Sequence, residues 1–137
     1  MTVPNKSLVI NTLSEEYGCS LKPYRGKQII FEGIIGKERL IVCTPSSKLH
    51  VRGHGWFDLT IKQVEILDSA DKSVLAIRLP NKVYYLDFKE LRKLMTEKAI
   101  HNNPKEGKHW KFYVWNNHIE VRGSNEQFIV EPKELSA

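Results

Sequence analysis

The chain has 137 residues, 41% of them apolar and 27% charged, with 21 Lys and Arg against 16 Asp and Glu. That composition excludes a disordered or fibrous chain and fits one globular domain able to bury a core without metal or disulfide staples. The longest aliphatic runs, Leu40-Ile41-Val42 and Val74-Leu75-Ala76-Ile77, fall far short of the roughly 20 apolar residues of a membrane span. With no apolar leader and two isolated cysteines, Cys19 and Cys43, a soluble cytoplasmic protein with no membrane contact is expected.

Helical spacing of Ile10, Leu13 and Tyr17 predicts an amphipathic helix over Ser7 to Tyr17, ended by Gly18. After a turn at Pro23-Tyr24-Arg25-Gly26, the β-rich runs Gln28 to Ile34 and Arg39 to Cys43 form a hairpin about Gly36-Lys37. His50 to Leu59 reads as extended. It leads into Thr60-Ile61-Lys62-Gln63, a capping box for a short helix with Ile61, Val64 and Leu67 on one face. Trp56 and Leu59 are expected to anchor that junction in the core, with Asp58 left in solvent.

Ser73 to Leu79 and Lys82 to Leu86 make a second hairpin about Pro80-Asn81. Asp87 caps a third helix with Leu91, Leu94 and Met95 as its apolar stripe. His101 to Gly107 reads as an exposed loop. His109 to Trp115 and His118 to Arg122 form a third hairpin about Asn116-Asn117, with positive φ expected at that turn. Phe128 to Val130 is a last strand. The expectation is a mixed α/β (α+β) fold: one domain over residues 1–131, a largely antiparallel sheet of hairpins, about three helices, and a flexible tail over 132–137.

Charge is uneven along this order. Ser20 to Arg52 holds seven Lys and Arg against two acids, and Lys89 to Lys111 seven against three. Such segments attract a polyanion if the fold brings them to one face. Candidate nucleic-acid contacts are therefore Arg25, Lys27, Arg39, Lys48, Arg52, Arg92, Lys93, Lys105, Lys108, Lys111 and Trp115. The last four belong to a stretch where Lys105, Lys108, His109 and Lys111 interleave with Trp110, Phe112, Tyr113 and Trp115, a mixture suited to phosphate contacts and base stacking. Alternation there also predicts Trp110, Phe112 and Val114 facing the core, and Lys111, Tyr113 and Trp115 facing outward, Trp115 the most exposed.

Catalytic motifs are incomplete. Gly33-Ile34-Ile35-Gly36-Lys37 is too short for a phosphate loop. His50 and His54 could join Cys43 or Asp58 around a metal, but no second ligand pair completes a set. Cys43 near Ser46-Ser47-Lys48 lacks a triad. No metal and no cofactor are expected.

The order of helix, hairpin, Gly55-Trp56-Phe57-Asp58-Leu59-Thr60, Val74 to Leu79, Tyr84-Tyr85-Leu86 and helix resembles the core of the restriction-endonuclease-like, PD-(D/E)XK, superfamily over residues 7–98. The resemblance implies an acid on the first hairpin strand and an acid-x-Lys on the second, together holding Mg²⁺. Glu32 matches the first, but the second reads Ile41-Val42-Cys43-Thr44 and lacks both. The leading expectation is a nucleic-acid-binding protein, for DNA or RNA, on a degenerate nuclease scaffold. Its rivals are a metal-dependent nuclease using Glu32 with Glu16, Glu38 or Asp58, and a phage or mobile-element factor docking on a host protein. A homodimer stays open.

Overall fold

The computed structural model describes residues 2–49, 53–105 and 107–135, with Lys48 and Leu49 described by backbone alone. In chain order the elements are α1 (Lys6–Tyr17), β1 (Lys22–Pro23), β2 (Ile30–Ile35), β3 (Glu38–Cys43), β4 (Lys48–Leu49), β5 (Gly55–Thr60), α2 (Ile61–Asp68), β6 (Lys72–Leu79), β7 (Lys82–Asp87), α3 (Phe88–Arg92), a 3₁₀ turn (Glu97–Ala99), β8 (His101–Asn103), β9 (Gly107–Val114), β10 (His118–Val121), β11 (Gln127–Ile129) and β12 (Lys133–Glu134). The class is mixed α+β with mainly antiparallel pairing, as expected. The strands, however, divide into two sheets.

The central sheet runs β1-β2-β3-β6-β7-β12. β6 is buried along nearly its whole length, because both faces of this sheet are covered. On one face α1 sets Val9 and Leu13 against Leu40, Val42, Val74, Ala76 and Val83. The other face contributes Ile41, Cys43, Leu75, Ile77 and Tyr84 to a core shared with Phe57, Leu59, Trp110, Phe112, Val114 and Ile119 of the outer sheet. That outer sheet runs β11-β10-β9-β5-β4, with β8 also paired to β9. α2 and α3 add Val64, Leu67, Phe88 and Leu91 to the shared core.

Local signals are realised closely. Gly18 closes α1 at φ 63°. The β2–β3 hairpin turns at Gly36 with φ 61°. Thr60 Oγ1 accepts from Gln63 N at 3.2 Å, and Gln63 Oε1 accepts from Thr60 N at 2.9 Å, which completes the capping box. β3 and β6 pair in parallel, with α2 in the connection.

Several expectations are corrected. Asn116-Asn117 turns the chain with Trp115 N donating to His118 O at 2.8 Å, but the non-glycine residues with positive φ among those described are Arg25 and Asn81. The turn is wider than a two-residue hairpin, since the last pair before it is Val114 with Ile119. His101 to Asn103 is a strand on β9, not a loop. Lys133 and Glu134, expected in a flexible tail, pair with Val83 and Lys82 on the free edge of β7. α3 stops after Arg92, whose guanidinium donates to Met95 O at 2.9 Å.

Candidate nucleic-acid interface

The site follows from alternation on β9 and its neighbours. Trp110, Phe112 and Val114 point inward and are buried, and Phe57 stacks on Phe112 at 4.7 Å between ring centroids. Opposite parity then puts His109, Lys111, Tyr113 and Trp115 on the other face, where His109 alone of the four is buried. Register carries the same face across the sheet. Thr60 lies opposite His109, Asp58 opposite Lys111, Trp56 opposite Tyr113, and Glu120 opposite Tyr113 on the other side. His118 and Arg122 share the parity of Glu120, and Arg122 N donates to Lys111 O at 2.9 Å. Trp56, Asp58, Lys111, Tyr113, Trp115, His118 and Glu120 are all half-buried, the exposure of a sheet face open to solvent.

One end of this face gathers Lys111, Arg122, His101 and His109 with Asp58. Lys111 Nζ lies 3.9 Å from Asp58 Oδ1 and 5.0 Å from the centre of the Trp56 ring. His101 and His109 bring their rings within 6.0 Å of each other. His109 Nδ1 lies 3.0 Å from Gly107 O, and a carbonyl only accepts, so this nitrogen carries the proton and Nε2 is left as an acceptor in the neutral ring. Burial, followed by the charges of Arg122, His109 and Lys111, pulls the His101 imidazole below its ordinary 6.5, with Asp58 opposing.

The other end is aromatic. His54 lies 4.4 Å from the Trp115 ring and edge-on to Tyr113 at 5.4 Å. His118 stacks on Trp115 at 6.1 Å, with its Nε2 3.1 Å from Glu120 Oε1 and its Nδ1 2.9 Å from Asn117 Oδ1. Trp115 is therefore flanked by imidazoles and falls in the same half-buried class as Lys111 and Tyr113.

The other candidates lie elsewhere. Arg25 and Arg39 each sit 5.9 Å from the Tyr24 ring, and Arg39 also donates to Ser69 Oγ at 3.2 Å. Arg92 pairs with Asp68 at 3.1 Å and lies 5.2 Å from the inward Trp110 ring. Arg39 and Arg92 thus each reach the C-terminal end of α2, where a cation interacts favourably with the helix dipole. Lys93 pairs with Glu90 at 2.7 Å. Lys27 is exposed before β2, and Lys105 and Lys108 are exposed around the β8–β9 turn. Lys108 has the parity of Trp110, opposite to that of Lys111. Arg52 and His50 lie outside the described residues, as does the side chain of Lys48.

No family model, curated protein or solved structure matches this chain.

Of the eleven candidate residues, the outward face gathers Lys111 and Trp115. It adds Trp56, His101, His118 and Arg122, which sequence reasoning left out. For Trp56 and Arg122 the signal was present: Phe57 and Leu59 fix the inward parity of β5, and Tyr113 opposite Glu120 fixes that of β10. Trp56 is accordingly half-buried on the outward face, not a core anchor, and Asp58 faces Lys111 instead of bulk solvent.

For metal chemistry, Glu32 lies on β2, Glu38 begins β3 and Asp58 is in the other sheet. Among the described residues no three His, Cys, Asp or Glu side chains are grouped to hold an ion. Cys43 is fully buried, and burial pushes its thiol up to about 12, so it is no nucleophile at neutral pH. What the outward face offers chemically is cationic donors beside π surfaces, a combination suited to phosphate and base.

Proposed function

We propose that this protein binds nucleic acid, DNA or RNA, through the outward face of the outer sheet and does not cleave it. The observation that carries the reading is the convergence of Lys111 and Arg122 with the rings of Trp56, Tyr113 and Trp115 on one half-exposed sheet face. Lysine and arginine there supply phosphate contacts, and the exposed Lys105 and Lys108 at the β8–β9 turn add to the field. The degenerate PD-(D/E)XK scaffold belongs to the same proposal. Its support is the β2–β3 hairpin joined through α2 to the parallel β6, with a second strand that reads Ile41-Val42-Cys43 where the acid-x-Lys of metal catalysis belongs. The free thiols of Cys19 and Cys43 suit a reducing compartment, and we place the protein in the cytoplasm. No helix among the described residues is long and apolar enough to cross a membrane.

Anisotropy of a labelled oligonucleotide across salt concentrations tests the reading. Affinity should fall with salt, and Lys111→Glu and Arg122→Glu should each weaken binding and lower the log–log slope by about 1. Lys133→Glu, on β12 at the edge of the central sheet, should change neither. Absence of binding at low salt, or binding indifferent to salt and to both variants, refutes it. The same preparation with Mg²⁺ should leave DNA uncut; cutting abolished by Glu32→Ala would favour the nuclease instead.

A further inference from the structure

We infer that the ligand of this face is an unpaired strand, whose bases stack on Tyr113 and Trp115 while its phosphates meet Lys111 and Arg122. The inference rests on the nucleic-acid reading above and narrows it.

Charge on the face argues first. Among the described side chains of this face, Lys111 and Arg122 are matched by Asp58 and Glu120, so their formal charges cancel. Phosphate attraction alone is weak on such a surface, and a ligand offering only phosphates has little to gain. Stacking of an unpaired base on an aromatic side chain contributes about 5- to 150-fold in affinity per base, and it does not depend on net charge.

Geometry argues second. Outward residues along β9 recur every two positions, about 6.8 Å apart. Lys111, Tyr113 and Trp115 therefore form a row of one cation and two rings. Arg122 lies beside Lys111, and Trp56 lies beside Tyr113. A nucleotide of a single strand presents a phosphate and a free base face at separations of this order. A duplex does not: its base faces are stacked on one another and only their edges open into the grooves. The outer sheet is five strands wide, about 19 Å at the usual strand spacing, against a major groove of about 12 Å. Its face cannot enter a groove to bring these rings to the bases.

The rings are also held in advance. His54 and His118 fix the Trp115 indole, and His54 meets Tyr113 edge-on, so little side-chain freedom is left to lose on binding.

The test is anisotropy at low salt with labelled oligothymidylate, oligouridylate and an oligo(dA)·oligo(dT) duplex, on the full chain and on Tyr113→Leu, Trp115→Leu and Trp115→Phe. Either single strand should bind at least about tenfold tighter than the duplex. Tyr113→Leu and Trp115→Leu should each lose about fivefold or more on the single strand while leaving duplex affinity unchanged. Trp115→Phe, which keeps a ring, should retain most of the affinity; if Trp115→Leu melts early, Tyr113→Leu and Trp115→Phe decide. Duplex binding equal to single-strand binding, or single-strand affinity unchanged in Tyr113→Leu, overturns this inference and leaves the broader nucleic-acid reading standing. Absence of binding to all three ligands overturns both.

Discussion

Adjacent residues Phe112 and Tyr113 should respond to truncation in opposite ways, because they face opposite sides of one strand. Phe112 is fully buried and stacks on Phe57 at 4.7 Å with ring planes 9° apart. Phe112→Ala removes a whole ring from a core shared by both sheets and should cost about 3–5 kcal/mol. For a chain of 137 residues the unfolding entropy is about 0.3 kcal/mol per degree, so the melting temperature should fall by about 10–17 °C. Part of the loss belongs to the ring pair: a double-mutant cycle with Phe57→Ala should return a coupling of about 0.5–1.5 kcal/mol. Tyr113→Ala, on the half-exposed face, should cost about 1 kcal/mol or less, yet it should weaken nucleic-acid binding. Urea melts followed by circular dichroism give both stabilities, and oligonucleotide anisotropy gives the affinity. Equal destabilisation by the two variants, or a larger loss from Tyr113→Ala, would show that the parity assigned to β9 is wrong, and the interface with it.

Thr60→Ala should destabilise the fold by about 1 kcal/mol through the lost cap on Gln63 N, measurable in the same urea melts, while Lys62→Ala on the exposed side of α2 should stay within about 0.5 kcal/mol. Iodoacetamide at mild alkaline pH should alkylate the half-buried Cys19 and spare Cys43, so mass spectrometry should find one adduct on the native chain and two after denaturation; two native adducts would contradict the burial of Cys43. His101, held below 6.5 in the folded state, binds its proton more readily when unfolded. Its stability contribution is therefore complete above about pH 6.5 and is lost as the pH falls toward the depressed value. The wild type should lose more melting temperature than His101→Asn between neutral and mildly acidic pH; parallel losses would remove His101 from that role.

What could be read from the sequence is what short-range chemistry decides. The capping box at Thr60 and Gln63, the left-handed Gly18 and Gly36, and the unbroken apolar run of β6 each specify structure within a few residues. β8 was invisible for the opposite reason. Asn102, Asn103 and Pro104 have loop chemistry, and only the free edge of β9, which no local pattern announces, makes His101 to Asn103 a strand. β12 depends in the same way on the open edge of β7. The division into two sheets was equally hidden, since hairpins declare their internal pairing and not which edges meet afterwards. Within the site, Lys111 and Trp115 were accessible from alternation, whereas the basic pair Arg39 and Arg92 looked like ligand contacts until the fold placed both at the end of α2. Charge counted along the chain does not reveal which cations the fold itself consumes.

Backbone amide shifts on titration with oligothymidylate test the central claim most directly, because they report which face is occupied. The account expects progressive shifts concentrated at Trp56, Lys111, Tyr113, Trp115, His118 and Arg122, with α1 and the Tyr24–Arg39 corner of the central sheet unmoved. Shifts gathered instead around Arg25, Lys27 and Arg39, with the outer sheet silent, would contradict it.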